Sequence, residues 1–115
     1  MIDRRVSVDA ESGEFMTYEI NITPSALAEL KEVEAYYRRQ ITDAIDSQLQ
    51  HEPTVETRKR KLLVGVEPDF ESVSPIWQLR VGDFRVFYDV DESENTVVVR
   101  AVREKPPHLQ TEEIV

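Results

Sequence analysis

The chain has 115 residues, 32% of them charged and 40% apolar, and its 23 acidic and 14 basic side chains give a net charge of −9. A chain of this length buries about two-thirds of its unfolded surface, which is enough for one hydrophobic core. The absence of cysteine excludes disulfides, cysteine-based zinc sites and a cysteine nucleophile. There is no apolar run of the roughly 18 residues that a membrane span requires, and no apolar stretch typical of a signal peptide, so we expect a cytoplasmic protein.

The N-terminal region divides into a polar arm and the start of a domain. Residues 1–16 have no hydrophobic periodicity, so we predict a flexible arm, followed by a single domain over residues 17–115. Tyr18, Ile20 and Ile22 alternate with polar residues, as in a half-buried strand. Thr23-Pro24 then provides an N-cap followed by proline at the first helical position, which predicts a helix start.

The stretch from Pro24 to Gln50 is predicted to be helical. It contains no glycine and no further proline, and apolar residues recur every three or four positions. The apolar stripe drifts around Val33–Tyr37, so one long helix and a tight helical hairpin both fit; we favour the hairpin in so small a domain. The helical region should end before Pro53, because a residue that precedes proline disfavours helix.

One compact basic segment stands out in this acidic chain. Residues 53–66 hold four bases, Arg58, Lys59, Arg60 and Lys61, against the single acid Glu56. These bases either form a binding surface or lie in a solvated loop paired with nearby acids. Residues 62–64 then suggest a short strand or a packed loop.

Three strand signals follow, at residues 76–81, 84–90 and 97–102. Gly82-Asp83 forms a two-residue hairpin link, and residues 91–95 a longer turn. The order of elements predicts an α+β domain with an N-terminal strand and a two-helix hairpin packed on an antiparallel sheet that ends in a three-strand meander. Because strand side chains alternate, the apolar set facing the helices should be Phe84, Val86, Tyr88 and Val90. Arg80 and Arg85 should then lie together on the opposite, open face, with Phe87 and Asp89.

The segment LRVGDFRVFYDVD carries a family resemblance. A leucine–arginine pair leads into a tight turn, an aromatic–arginine pair opens the next strand, and a tyrosine and an acidic turn follow. In order, these are Leu79-Arg80, Gly82-Asp83, Phe84-Arg85, Tyr88 and Asp91. With TPSALAEL and ITDAIDSQL as the helical pair, residues 17–105 resemble the RelE/ParE superfamily of toxins from type II toxin–antitoxin systems.

The resemblance implies a RelE-like fold and two candidate activities. RelE-like toxins enter the ribosomal A site and cleave mRNA by attack of a ribose 2′-hydroxyl on the adjacent phosphate, without a metal or cofactor. ParE-like toxins instead inhibit DNA gyrase. Both are neutralised by a cognate antitoxin, which we expect from an adjacent gene. A degenerate, non-toxic antitoxin-binding protein is a third reading, to which the net charge of −9 also points.

Cleavage of this kind requires a base, an acid for the leaving 5′-oxygen, and cations at the phosphorane. We predict catalytic roles for Arg80, Arg85 and Lys105, with Arg103 as an alternative to Lys105. The predicted RNA-binding residues are Arg58, Lys59, Arg60, Lys61 and Arg103. The sequence departs from the family at Ile76 and Gln78, where RelE members carry a lysine–x–lysine pair, and it lacks their C-terminal tyrosine.

Other chemistry-bearing residues have simpler interpretations. His51 suits the end of a helix, while His108 is a weak candidate for a general base. Trp77 is expected in the core rather than as a platform for base stacking, and one of the adjacent pair Tyr36 and Tyr37 must be exposed.

Overall fold

The computed structural model describes residues 17–115, and the predicted N-terminal arm lies outside them. Within residues 17–115, two helices and five strands are followed by a short 3₁₀ turn. In chain order these elements are β1 (Glu19–Ile22), α1 (Pro24–Lys31), α2 (Ala35–Leu49), β2 (Arg60–Leu63), β3 (Ile76–Val81), β4 (Phe84–Asp91), β5 (Thr96–Glu104) and the turn at Thr111–Glu113. The predicted α+β class, helical hairpin and C-terminal meander are therefore confirmed.

The five strands form one sheet in the order β1-β5-β4-β3-β2. The pairs β2–β3, β3–β4 and β4–β5 are antiparallel, as predicted. The sheet is mixed rather than wholly antiparallel, because β1 lies at the edge beside β5 and runs parallel to it. The helical hairpin carries the chain from this edge towards β2 at the other edge, so both helices lie on one face.

The helical hairpin is held by side chains at its two ends. The Thr23 hydroxyl accepts a hydrogen bond from the Ala26 amide at 3.2 Å, which caps α1. At the other end of α1, the Arg38 guanidinium reaches back from α2 and donates to the carbonyls of Leu30, Lys31 and Val33. These carbonyls have few partners within the helix, so Arg38 closes the turn between the helices.

The core lies between the helices and one face of the sheet. Ile41, Ile45 and Leu49 of α2 are buried against β3 and β4, where Val86 and Tyr88 are fully buried, as the alternation predicts. The Tyr88 hydroxyl donates to the Pro53 carbonyl at 2.6 Å and so anchors the chain just beyond α2. Trp77 stacks on Tyr88 with ring centroids 6.3 Å apart, which confirms its place in the core.

The opposite face of the sheet is less open than we expected. Phe87 and Asp89 are buried, because residues 64–75 fold across them. The Phe70 ring lies 5.7 Å from that of Phe87. The Asp89 carboxylate accepts hydrogen bonds from the Val73 amide at 2.9 Å and the Arg100 guanidinium at 2.8 Å. The accessible part of this face is therefore confined to β2, the Arg80 end of β3 and the start of β4.

Candidate nucleic-acid interface

The β3–β4 hairpin places two arginines directly opposite each other. Arg80 pairs with Arg85 in the strand register, so both side chains leave the same face of the sheet. The two-residue link begins with Gly82, whose φ of 60° is in the left-handed region that glycine adopts most readily. The tight turn thus sets the spacing of the two cations.

Neither arginine has a carboxylate partner within residues 17–115. The Arg85 guanidinium donates instead to the carbonyls of Gly82 and Phe84, at 2.8 and 2.9 Å. Partial burial, followed by the charge of Arg80, lowers the pKa of Arg85, and the neighbouring Asp83 only partly offsets these effects. The two positive charges repel each other, so an anion bound between them would relieve that repulsion.

Strand β2 and the residue before it bring two lysines to this groove. Lys61 lies opposite Gln78 in the register, and the Lys59 carbonyl accepts a hydrogen bond from the Arg80 amide at 2.8 Å. Lys59 immediately precedes β2 and Lys61 lies within it, and both residues line one groove. The predicted basic segment therefore extends the arginine pair across β3.

These side chains line a groove of about 500 Å³, which we call the basic groove. Its walls are formed by Glu56, Thr57, Arg58, Lys59, Arg60, Lys61, Gln78, Arg80, Arg85, Lys105 and Thr111. The Lys105 amide donates to the Asp83 carbonyl at 2.6 Å, which holds Lys105 beside the β3–β4 turn. All three predicted catalytic residues and four of the five predicted RNA-binding residues line this groove.

The guanidinium of Arg60 is hydrogen-bonded to groups outside the basic groove, although the residue borders the groove. Arg60 pairs with Leu79 on the core side of β2 and is buried. Its guanidinium donates to the Gln48 carbonyl at 2.7 Å, to the Gln48 side chain at 3.2 Å and to the Val55 carbonyl at 2.9 Å. We therefore withdraw the predicted RNA contact of Arg60, whose guanidinium joins the end of α2 to the following loop.

The guanidinium of Arg103 also contacts other groups of the protein and lies outside the basic groove. It forms ion pairs with Glu29 at 3.1 Å and Asp69 at 3.0 Å, and donates to the Ile114 carbonyl. Its guanidinium also lies 5.2 Å from the centre of the Phe70 ring. Because Lys105 lines the basic groove and Arg103 does not, Lys105 is the better candidate for the cation after the last strand.

The groove contains polar residues that the sequence analysis did not select. Glu56 supplies its carboxylate, one oxygen of which accepts from the Leu62 amide at 3.0 Å. The Thr111 hydroxyl donates to the Gln78 side chain at 2.9 Å. Glu56 could have been found, since it is the acid inside the basic segment. The position of Thr111 depends on the path of the C-terminal segment, for which the sequence has no local signal.

Two further candidates of the sequence analysis lie outside the groove. His51 and His108 are exposed, and neither belongs to its lining. Within residues 17–115, no cluster of histidine and acidic side chains is arranged to hold a metal ion. None of the helices in this part of the chain is long and apolar enough to cross a membrane.

A family model described as the ParE toxin of type II toxin–antitoxin systems, parDE, matches residues 20–105. The chain belongs to this toxin family. The predicted relationship to the RelE/ParE superfamily is therefore confirmed, and the chain is a toxin of that superfamily. No curated protein sequence matches it.

Solved structures of RelE proteins share the fold of this ParE-family toxin. The RelBE2 toxin–antitoxin complex of Mycobacterium tuberculosis aligns with a TM-score of 0.63 at 21% identity, covering 78% of this chain and 93% of that one. The RelE–RelB complex of Pyrococcus horikoshii has a TM-score of 0.62 at 22% identity, covering 80% and 99%. An arginine-substituted variant of Escherichia coli RelE in the free state has a TM-score of 0.55 at 26% identity, covering 78% and 84%.

In this ParE-family toxin, the two β3 positions that carry lysine in RelE members are buried. Ile76 is 4% exposed and Gln78 is 8% exposed. Gln78 is also hydrogen-bonded to Thr111 of the C-terminal segment. The cations of the groove therefore come from β2, from the loop before it and from the residues around the β3–β4 turn.

Proposed function

We propose that this type II toxin cleaves mRNA on the ribosome and that the basic groove is its active site. The observation that carries the proposal is the pairing of Arg80 with Arg85 at the hairpin, where neither has a carboxylate partner within the described residues. Arginine is always charged and its planar fork binds two phosphate oxygens at once. Two such forks facing the same side suit a phosphate that gains negative charge during reaction.

The reaction uses the RNA's own nucleophile. The 2′-oxygen forms a bond to the adjacent phosphorus, the bond from phosphorus to the 5′-oxygen breaks, and the products are a 2′,3′-cyclic phosphate and a 5′-hydroxyl. Arg80 and Arg85 stabilise the charge of the phosphorane. Glu56, the carboxylate in the groove lining, takes the proton of the 2′-hydroxyl, and a lysine returns a proton to the leaving oxygen.

Lys59, just before β2, and Lys61, within β2, are the candidates for this acid. Lys59 and Lys61 repeat the lysine–x–lysine spacing that the sequence lacks on β3, one strand further towards the edge of the sheet. Lys61 lies directly opposite Gln78, one of the two altered β3 positions. We infer that the two proton-transfer residues lie one strand closer to the edge of the sheet than the lysine pair of RelE members. Lys105 supplies positive charge on the other side of the phosphate.

The lining of the basic groove favours recognition of the RNA backbone. None of the residues that line it is aromatic, so it offers no platform on which a base could stack. Cationic side chains contact phosphates irrespective of sequence. We infer that the choice of cleavage site comes from the way the ribosome presents the mRNA.

The partner and the cellular location follow from this function. The similar RelE chains of Mycobacterium tuberculosis and Pyrococcus horikoshii come from complexes with antitoxins. We infer that a cognate antitoxin, encoded by an adjacent gene, neutralises this toxin in the cytoplasm, where it meets ribosomes and mRNA.

Primer extension on a reporter mRNA tests the proposal. Programmed ribosomes are incubated with the wild-type protein, with Arg85→Ala, or with Arg39→Ala, an exposed arginine of α2 that is outside the groove lining. We expect cuts with the wild type and Arg39→Ala, and a loss of about a hundredfold or more with Arg85→Ala. Intact mRNA with excess wild-type protein would contradict the proposal.

Gyrase inhibition is the second candidate function. The family model that matches is that of ParE toxins, and the β3 lysine pair of RelE members is absent. A DNA supercoiling assay with purified gyrase separates the two candidates. Inhibition by a protein that leaves ribosome-bound mRNA intact would favour the ParE-like activity, whereas cleavage without gyrase inhibition would favour the nuclease.

A further inference from the structure

A second groove lies on the helix side of the same end of the sheet. It has a volume of about 680 Å³ and is formed where the α1–α2 turn approaches the start of β4, the end of β5 and the C-terminus. Phe84 lines this groove and its neighbour Arg85 lines the basic groove, because adjacent strand residues face opposite sides of the sheet. We call it the acidic groove, after its rim.

The floor of the acidic groove is apolar. Val33 and Tyr37 from the helical hairpin meet Phe84 and Val102 from the sheet, with Ile114 at one end. The Tyr37 and Phe84 rings lie 5.8 Å apart, and Tyr37 remains 43% exposed. The neighbouring Tyr36 is 68% exposed and contacts Tyr37 edge to face at 5.1 Å. Exposed aromatic side chains beside an apolar floor are typical of protein-binding surfaces.

The rim carries negative charge that the rest of the structure leaves uncompensated. Glu32, Glu34 and Glu104 line the groove and are exposed, and none of them forms an ion pair within residues 17–115. A fourth acid, Glu29, is paired with Arg103. Arg38 follows the rim in sequence, but its guanidinium is bound to three backbone carbonyls. The rim therefore attracts cations and repels nucleic acid.

We propose that the acidic groove binds a polypeptide segment of the antitoxin in which apolar side chains are flanked by lysine and arginine. Its apolar residues bury the exposed faces of Tyr37 and Phe84, and its cations pair with Glu32, Glu34 and Glu104. The existence of an antitoxin rests on the function proposed above, but the chemistry of the bound segment rests on the acidic groove alone. Such a segment would leave the basic groove uncovered, so neutralisation requires a further part of the antitoxin or exclusion from the ribosome.

Selection from a displayed library of random peptides tests this proposal. Peptides selected on the wild-type protein are resynthesised, and their affinities are measured for three purified variants. Glu32→Lys with Glu34→Lys reverses the charge of the rim, and Tyr37→Ser removes part of the floor. Asp43→Lys with Asp46→Lys is the matched control, since both aspartates are exposed on α2 and lie outside the acidic groove.

The expected peptides are cationic with regularly spaced apolar residues. They should bind the rim and floor variants about tenfold or more weakly and the control within about twofold, because only the former lose complementary contacts. Equal loss in the rim variant and the control, selected peptides without net positive charge, or no selected peptide would each overturn the proposal. The rim variant retains the basic groove and should still cut ribosome-bound mRNA, so a failed nuclease is distinguishable from a failed docking site.

Discussion

Three arginines of the meander and its neighbouring strand differ in what their guanidinium groups contact. Arg60 is buried on the core side of β2 and bound to three oxygen atoms. Arg103 is neutralised by two carboxylates. Arg85 sits beside Arg80 and contacts backbone carbonyls only. We expect the uncompensated charge, rather than the residue type, to distinguish an arginine that binds phosphate from a structural one.

Arg60 is predicted to matter for stability. Replacing it with alanine leaves the carbonyls of Gln48 and Val55 without their donor, so we expect Arg60→Ala to lower the free energy of unfolding by about 3 kcal/mol. The neighbouring Arg58 is exposed, and Arg58→Ala should change the free energy of unfolding by less than about 0.5 kcal/mol. Urea unfolding of both variants measures the difference. Equal stabilities would show that the Arg60 contacts are energetically unimportant.

Tyr88 is predicted to make stability fall at alkaline pH. Burial raises the pKa of its phenol above the ordinary value of 10.0. Above about pH 10 the unfolded chain releases this proton while the folded protein keeps it, so stability decreases by about 1.4 kcal/mol per pH unit. Tyr88→Phe is less stable at neutral pH, because it loses the bond to Pro53, but it lacks this decrease.

The difference between wild type and Tyr88→Phe should therefore shrink as the pH rises from 10 to 11. Chemical unfolding at several pH values measures it, with Tyr36→Phe as the control because Tyr36 is 68% exposed. A difference that stays constant across this range would show that Tyr88 is not held protonated by the fold.

At the scale of elements, β2 determines the character of the basic groove. Lys61 of β2 and Lys59 just before it extend the hairpin's arginine pair, and the preceding loop covers the outer edge of the strand. In that loop, the Thr57 amide donates to the Arg60 carbonyl and Glu56 accepts from the Leu62 amide. The same loop thus protects the edge strand and brings a carboxylate into the groove.

Lys59 and Lys61, at the start of β2, are predicted to contribute to cleavage. Replacing both with alanine removes the proposed acid and two phosphate contacts, so we expect cleavage on the ribosome to fall by about a hundredfold. The fold should be unaffected, because Lys59 and Lys61 are exposed. Lys31→Ala, in the last turn of α1, is the control. Full activity of the double variant would place proton transfer elsewhere.

Local patterns predicted most of the elements, and their limits have physical causes. Alternation identified the core face of β4, since Val86 and Tyr88 are fully buried. It also predicted the shared face of Arg80 and Arg85, which depends only on a two-residue link. It could not predict that residues 64–75 cover Phe87, because a loop's path over a sheet is set by distant contacts such as Phe70 on Phe87. The orientation of Arg60 was missed because β2 begins at this residue rather than at Leu62.

At the scale of the whole molecule, charge is separated between two faces of one end of the sheet. A net charge of −9 would repel RNA from most of the surface, so we expect the proposed RNA binding to be confined to the basic groove. The acidic groove on the other side of the sheet suits a partner that carries positive charge. This division places the proposed RNA-binding surface and the proposed antitoxin-binding surface close together in a small domain.

RNA binding is predicted to depend steeply on salt and weakly on sequence. About five phosphate contacts give a slope of roughly −3.5 for log affinity against log salt concentration, since each contact to a single strand contributes about −0.7. Fluorescence titration with homopolymers of each base should give similar affinities, because the groove lining contains no aromatic residue. Lys61→Ala should make the slope shallower by about 0.7, the contribution of one phosphate contact. A strong preference for one homopolymer would contradict backbone recognition.

The most direct test of the central claim is cleavage of a ribosome-bound mRNA that carries a single 2′-deoxynucleotide at a mapped cleavage position. We predict that the wild-type toxin cuts the all-ribose mRNA, leaving a 2′,3′-cyclic phosphate and a 5′-hydroxyl. The deoxy substitution should abolish the cut at that position alone, and Arg80→Ala and Arg85→Ala should each lose the cut in the all-ribose mRNA. Cleavage that persists at the deoxy position, or that persists in both arginine variants, would contradict the assignment of this chemistry to the basic groove.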